Sequence, residues 1–89
     1  MAIVMTSTSQ MTSGQYDQVI AHLAAELAAA EGFIAHFARP GTDGGWTVIE
    51  VWESEQQQAA WYDAKVRPHL PPGSPEPGIR PLHNVLLAS

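Results

Sequence analysis

Apolar residues recur every three or four positions in two stretches of this chain and alternate with polar ones in others. From Gln15 to Ala30 the residues Tyr16, Val19, Ile20, Leu23, Leu27 and Ala30 share one side of a helical period. Gln15, Gln18, His22 and Glu26 fall on or toward the other side. This predicts an amphipathic helix. Thr12-Ser13-Gly14-Gln15 reads as its capping box, and Gly32 after Glu31 as its stop. Ser54-Glu55-Gln56-Gln57 is a second capping box, predicting a helix from Glu55 to about Val66 that Pro68 ends. Strands are predicted from Ile3 to about Ser7, over Phe33 to Ala38, over Trp46 to Trp52 and over Ile79 to Leu87. Pro81 assigns the last of these to a sheet edge, since proline gives no N–H to a ladder. The turn-rich Arg39-Pro40-Gly41-Thr42-Asp43-Gly44-Gly45 should fold the second strand back on the third, and the Pro-rich tract 70–78 is irregular.

The resulting order is strand, helix, strand, strand, helix, strand. It is the βαββαβ order of a ferredoxin-like α+β sandwich with an antiparallel sheet, filling residues 1–89 as a single domain. Successive strand side chains point to opposite faces, so Trp46, Val48, Glu50 and Trp52 line one side and Thr47, Ile49 and Val51 the other. Phe33, Ala35 and Phe37 are wholly apolar. With Thr47, Ile49 and Val51 they are expected beneath the helices, which need an apolar sheet face. The complementary set then puts His36 and Glu50 together on the helix-free face as cross-strand or diagonal neighbours, flanked by Trp46 and Trp52. A face with two tryptophans is an exposed apolar patch unless something covers it, so a homodimer that closes two sheets into a barrel is expected.

Composition narrows the function classes. A chain of 89 residues without cysteine has neither disulfides nor a thiolate metal site to support a small core, which again favours a partner subunit. Net charge is −5 and the four cations Arg39, Lys65, Arg67 and Arg80 are scattered, so no nucleic-acid partner is expected. The apolar Met1 to Met5 is short and lacks a cationic region, and no run approaches a membrane span, so a soluble cytoplasmic protein is expected. The four histidines lie on separate elements with no HxH or HExxH spacing, and no Gly-rich loop leads from a strand into a helix. The expected metal site and cofactor are therefore none.

The chemistry-bearing residues admit two readings each. Glu50 is either a solvated or interface-paired carboxylate, or a buried one that accepts or orients a proton beside His36. His36 is either a hydrogen-bonded strand histidine or the base of that pair. Trp46 and Trp52 are core or interface residues, or walls on which a flat polycyclic substrate stacks. Trp61 and Tyr62 anchor the second helix to the sheet, and the Tyr62 hydroxyl could instead orient a phenolate or quinone. His22 faces solvent near Glu26 and carries no role, and His69 suits the helix exit as a cation. His83 and Asn84 are adjacent, so only one of them can face a pocket.

Taken together, Gly32 to Ala38, Gly45 to Ser54, Arg67-Pro68-His69-Leu70 and Pro81 to Val85, with the helix from Gln15 between them, resemble the dimeric α+β barrel superfamily. Within it the chain is similar to the small antibiotic biosynthesis monooxygenase-like proteins. The resemblance implies a homodimer and a small hydrophobic or aromatic ligand. It also implies a cofactor-independent monooxygenase-like activity on an aromatic or polyketide-like molecule, in secondary metabolism. In that chemistry the deprotonated substrate itself passes an electron to oxygen, so a base, an apolar pocket and orienting hydrogen bonds suffice. A cyclase or isomerase would use the same parts without oxygen, and a non-catalytic dimeric ligand-binding module is the alternative outside enzymology. Haem-degrading relatives use an Asn on the first strand, and Ala2 to Ser7 contains none.

Overall fold

The computed structural model, described over residues 1–42 and 44–88, contains the predicted elements in the predicted order. They are β1 (Ile3–Ser9), α1 (Ser13–Ala28), β2 (Phe33–Pro40), β3 (Trp46–Trp52), α2 (Glu55–Trp61) and β4 (Gly78–Pro81). Between α2 and β4 the helix widens into a π turn over Tyr62–Val66 and then tightens into a 3-10 turn over Arg67–His69. The sheet runs β2-β3-β1-β4 and all its pairings are antiparallel, the ferredoxin-like arrangement.

Local chemistry starts and stops these elements. At α1 the capping box is complete: Gln15 N–H donates to Thr12 Oγ1 at 3.1 Å and Thr12 N–H donates to Gln15 Oε1 at 2.9 Å. At α2 only half of it forms. Ser54 Oγ accepts from Gln57 N–H at 3.2 Å, but it then donates to the Gln57 side chain at 2.9 Å, so Gln57 does not reach back to the cap backbone. Gly32 takes the left-handed φ of +86° after α1, a conformation costly for a residue with Cβ. Its carbonyl accepts from Glu53 N–H at 2.8 Å, and a Cβ there would collide with the Gln57 side chain. This glycine therefore lets the α1 exit and the α2 entry approach each other.

The core identifies the helix-covered face, and it is the opposite of the one expected. Ile3, Met5, Leu27, Trp52 and Trp61 are buried together, with Ile20, Leu23, Phe33, Val48, Val66 and Ile79 packed against them. Val48, Glu50 and Trp52 thus point toward α1 and α2, and the parity of β3 assigns Ile49 and Val51 to the helix-free side. A bulge in β2 also divides the apolar set expected beneath the helices. Phe33 pairs with Trp52 and Ala35 with Val51, which leaves Ile34 as an extra residue. Phe33 and His36 consequently share the helix face, whereas Ala35 and Phe37 face away, and Phe37 is 56% exposed. The face expected to be bare and rich in tryptophan is covered. The bare face carries Phe37, Ile49 and Val51 instead.

Boundaries also differ, with β1 and β2 running past Ser7 and Ala38 to Ser9 and Pro40. The helix expected to reach Val66 stays α-helical only to Trp61. The last strand ends at Pro81 rather than Leu87, because its partner β1 begins at Ile3, opposite Pro81. One further contact, Leu82 N–H to Ala2 O at 2.8 Å, closes the ladder. Arg67 ties the Pro-rich segment to the π turn, bridging Asp63 at 2.9 Å and Glu76 at 2.7 and 2.9 Å, and Lys65 reaches Glu26 on α1 at 2.6 Å. Among the described residues no helix is long and apolar enough to cross a membrane.

Candidate functional site

His36 and Glu50 are directly paired across β2 and β3, and their side chains meet beneath α1. His36 Nδ1 lies 2.8 Å from Glu50 Oε2. The other carboxylate oxygen, Oε1, accepts the Trp52 indole N–H at 3.0 Å. Glu50 is 5% exposed, and both of its oxygens are therefore hydrogen-bonded, as a buried carboxylate requires. A carboxylate only accepts, so Nδ1 carries the imidazole proton and Nε2 keeps its lone pair. That lone pair faces the Tyr16 hydroxyl at 2.6 Å. A continuous chain results: Tyr16 O–H to His36 Nε2, His36 Nδ1–H to Glu50, and Trp52 N–H to Glu50.

Each member is positioned by its element. Tyr16 stands in the first turn of α1, where its N–H donates to Thr12 O at 2.9 Å, so the capping box sets where its ring falls. That ring is near-parallel to His36, with centroids 5.9 Å apart and planes 17° apart, and it meets Trp46 at 5.5 Å. Trp52 is fully buried and packs edge-on to Phe33 at 5.5 Å and against Trp61 at 6.4 Å. Burial first, then the negative charges of Glu50 and Asp17, raise the Tyr16 phenol above its ordinary value. The buried indole N–H of Trp46 has no hydrogen-bond partner among the described residues.

The predicted residues divide into two groups. His36, Glu50, Trp46 and Trp52 form one assembly, with Trp61 behind it in the core. Trp52 stands behind the carboxylate as its hydrogen-bond donor, whereas half-buried Trp46 lies beside Tyr16. Tyr62 is buried on the other side of α2, under the Arg67 guanidinium at 4.9 Å from its ring centre. There it lines two open clefts of about 240 and 360 Å³ with Gln58, Arg67 and Glu76 or with the Pro-rich segment. Burial first, then the negative charge of Glu76, raises the Tyr62 phenol as well, against the opposing Arg67 cation. His83 and Asn84 are both exposed and follow β4, at the sheet edge opposite β2, so neither joins the histidine and carboxylate. Among the described residues no group of three His, Cys, Asp or Glu is placed to hold a metal ion.

Tyr16 is the member that sequence periodicity conceals, since its place in the α1 apolar stripe reads as packing. A buried tyrosine nevertheless needs a partner for its hydroxyl, and the helix-covered face of β2 offers His36.

Solved structures share the fold, among them the following two. The heme-degrading protein Rv3592 from Mycobacterium tuberculosis, in heme-free form, superposes with a TM-score of 0.69 at 16% identity, covering 97% of this chain and 99% of that one. A mutant of SnoaB, a cofactor-independent oxygenase from Streptomyces nogalater, superposes with a TM-score of 0.59 at 20% identity, covering 96% and 94%. No curated protein matches the sequence. The antibiotic biosynthesis monooxygenase family model matches residues 1–66, a span that includes Tyr16, His36, Trp46, Glu50 and Trp52. The chain therefore belongs to the antibiotic biosynthesis monooxygenase family.

Proposed function

We propose that the protein is a cofactor-independent, monooxygenase-like enzyme that acts on an aromatic or polyketide-like small molecule. The observation that carries this reading is the buried His36–Glu50 pair, whose imidazole proton is fixed on Nδ1 and whose carboxylate is held by Trp52. An imidazole oriented by a carboxylate is a proton acceptor whose cationic form has its counter-charge already in place. The family and the cofactor-independent oxygenase of the same fold support the reaction class. The substrate gives up a proton to this pair, and the resulting anion passes an electron to dioxygen. Oxygen adds at carbon, and loss of water from the peroxide leaves a carbonyl. One oxygen atom ends in the product and the other in water, so the substrate supplies every electron.

In this reading the ligand approaches on the helix-covered side rather than the helix-free side, with Trp46 as a wall and Trp52 as support. Working as a homodimer, in the cytoplasm and in secondary metabolism, belongs to the same proposal. The bare sheet face with Phe37, Ile49 and Val51 supports the dimer. A second reading is favoured by the engagement of both His36 ring nitrogens inside the chain. It is a non-catalytic dimeric module whose small ligand sits in the clefts beside Tyr62. Tyr62 matters most to that reading, whereas Trp61, His83 and Asn84 line neither cleft. A cyclase or isomerase would use the His36–Glu50 pair without oxygen.

The test is oxygen uptake by the purified protein with a panel of hydroxylated polycyclic aromatics, compared with Glu50→Gln and His36→Gln. Turnover in the wild type that falls at least a hundredfold in His36→Gln supports the enzyme, within the range general-base catalysis supplies. Product formed at an unchanged rate without oxygen favours the cyclase or isomerase. Tight binding with no turnover in any case favours the module.

A further inference from the structure

We propose that the Tyr16 hydroxyl is the catalytic group of this site, taking a proton from an ionisable hydroxyl of an aromatic ligand while passing its own to His36. The purpose of this transfer rests on the oxygenase-like reading, but the transfer itself stands on geometry.

His36 has no free nitrogen. Nδ1 faces Glu50 at 2.8 Å and Nε2 faces Tyr16 at 2.6 Å, with the Tyr16 ring end-on to the imidazole and its plane 17° from it. Glu50 has no free oxygen either, because Trp52 and His36 take one each. A ligand proton can reach the pair only through the end of the chain, and that end is the half-buried Tyr16 at the first turn of α1. Its ring meets that of Trp46, whose buried indole N–H lacks an acceptor among the described residues. Buried donors without partners are uncommon, and one on a ring in contact with Tyr16 suits a ligand that also carries an acceptor oxygen.

The step balances as a relay. The ligand O–H bond breaks and its proton joins Tyr16 Oη, while the Tyr16 O–H bond breaks and its proton joins His36 Nε2. The products are a ligand phenolate and an imidazolium paired with Glu50, and Tyr16 ends neutral, as it began. The charged groups facing the phenol oppose a standing phenolate, since Glu50 lies behind His36 and Asp17 is the neighbouring residue on α1. The two transfers therefore run together, and the negative charge appears on the ligand rather than on the protein.

The experiment uses 4-nitrophenol, whose phenolate absorbs visible light, with protein carrying nitrogen-15 histidine. In the wild type, binding should raise the phenolate band and move both His36 ring nitrogens to imidazolium shifts together. Tyr16→Phe keeps the ring against His36 and Trp46 but removes the hydroxyl. It should still bind the probe, read from the Trp46 indole resonance, yet lose the band and leave His36 unmoved. Glu50→Gln should also lose the band, because the imidazolium then lacks its counter-charge. A Tyr16→Phe variant that ionises the probe as the wild type does overturns the proposal. So does a wild type whose Tyr16 and His36 resonances ignore the probe. A wild type that ionises the probe but consumes oxygen with no aromatic keeps the relay and removes the oxygenase reading.

Discussion

Trp52 donates its indole N–H to Glu50, two residues earlier on the same face of β3, at 3.0 Å. One strand thus brings a carboxylate into the core together with a donor for it. Trp52→Phe keeps most of the packing but orphans Glu50 Oε1. It should cost about 1–3 kcal/mol in urea unfolding, the range for leaving a buried polar atom unpaired. Trp52→Ala removes the fully buried ring as well and should cost at least about 3–5 kcal/mol. Equal losses in the two variants would mean that the indole serves only as bulk.

Gly32→Ala should destabilise by more than about 1 kcal/mol, the scale set by forcing a Cβ into left-handed backbone. The added methyl also meets the Gln57 side chain. Gln57→Ala removes the clashing Cδ and Oε1 but keeps Cβ, so it should recover most of the collision part of the loss and none of the backbone part. Unfolding midpoints of the two single variants and the double variant separate the terms.

Alkali should unfold the protein in part through Tyr16. Its phenol is raised above the ordinary 10.0 in the fold, so at high pH the unfolded chain has lost a proton that the folded chain still holds. Stability is then fully present below pH 10, falls as pH climbs, and levels off only above the raised folded value. Tyr16→Phe should flatten part of this slope, leaving a remainder from Tyr62, whose phenol is raised too. Chemical denaturation at several alkaline pH values, beside the ultraviolet signal of the phenolate, checks both statements.

The helix-free face should pair two chains. Phe37 is 56% exposed there, and Ile49 and Val51 adjoin it. Sedimentation should give a dimer, and Phe37→Glu combined with Ile49→Lys should give a monomer whose Tyr16–His36–Glu50 network persists by NMR. A wild type that stays monomeric at micromolar concentration would remove the dimer.

The element order, both N-caps and the pairing of His36 with Glu50 were legible because they rest on local chemistry and on period. The side of the sheet that the pair occupies was not. Strict alternation groups Phe33 with Ala35 and Phe37, and nothing in Phe33-Ile34-Ala35-His36 marks Ile34 as an extra residue. The apolar-face rule also failed at β3, where the helix-covered side holds Glu50 and the bare side holds Ile49 and Val51. A buried carboxylate satisfied by Trp52 and His36 costs less than its formal charge suggests, and hydropathy does not register those partners. Tyr16 was hidden for a related reason, because its hydroxyl partner lies 20 residues away on another element.

The wide turn at Tyr62–Val66 sets the direction in which Arg67 leaves the helix toward the Pro-rich segment. Each helical residue advances the side-chain direction by about 100°, so removing one residue there would swing Arg67 away from Glu76. The Pro-rich segment would come unhooked from its anchor, while the Tyr16–His36–Glu50 circuit, seated on α1, β2 and β3, would keep its wiring. Chain length in this turn would thus reshape the clefts beside Tyr62, whereas the Tyr16–His36–Glu50 hydrogen bonds answer to side-chain chemistry on α1, β2 and β3.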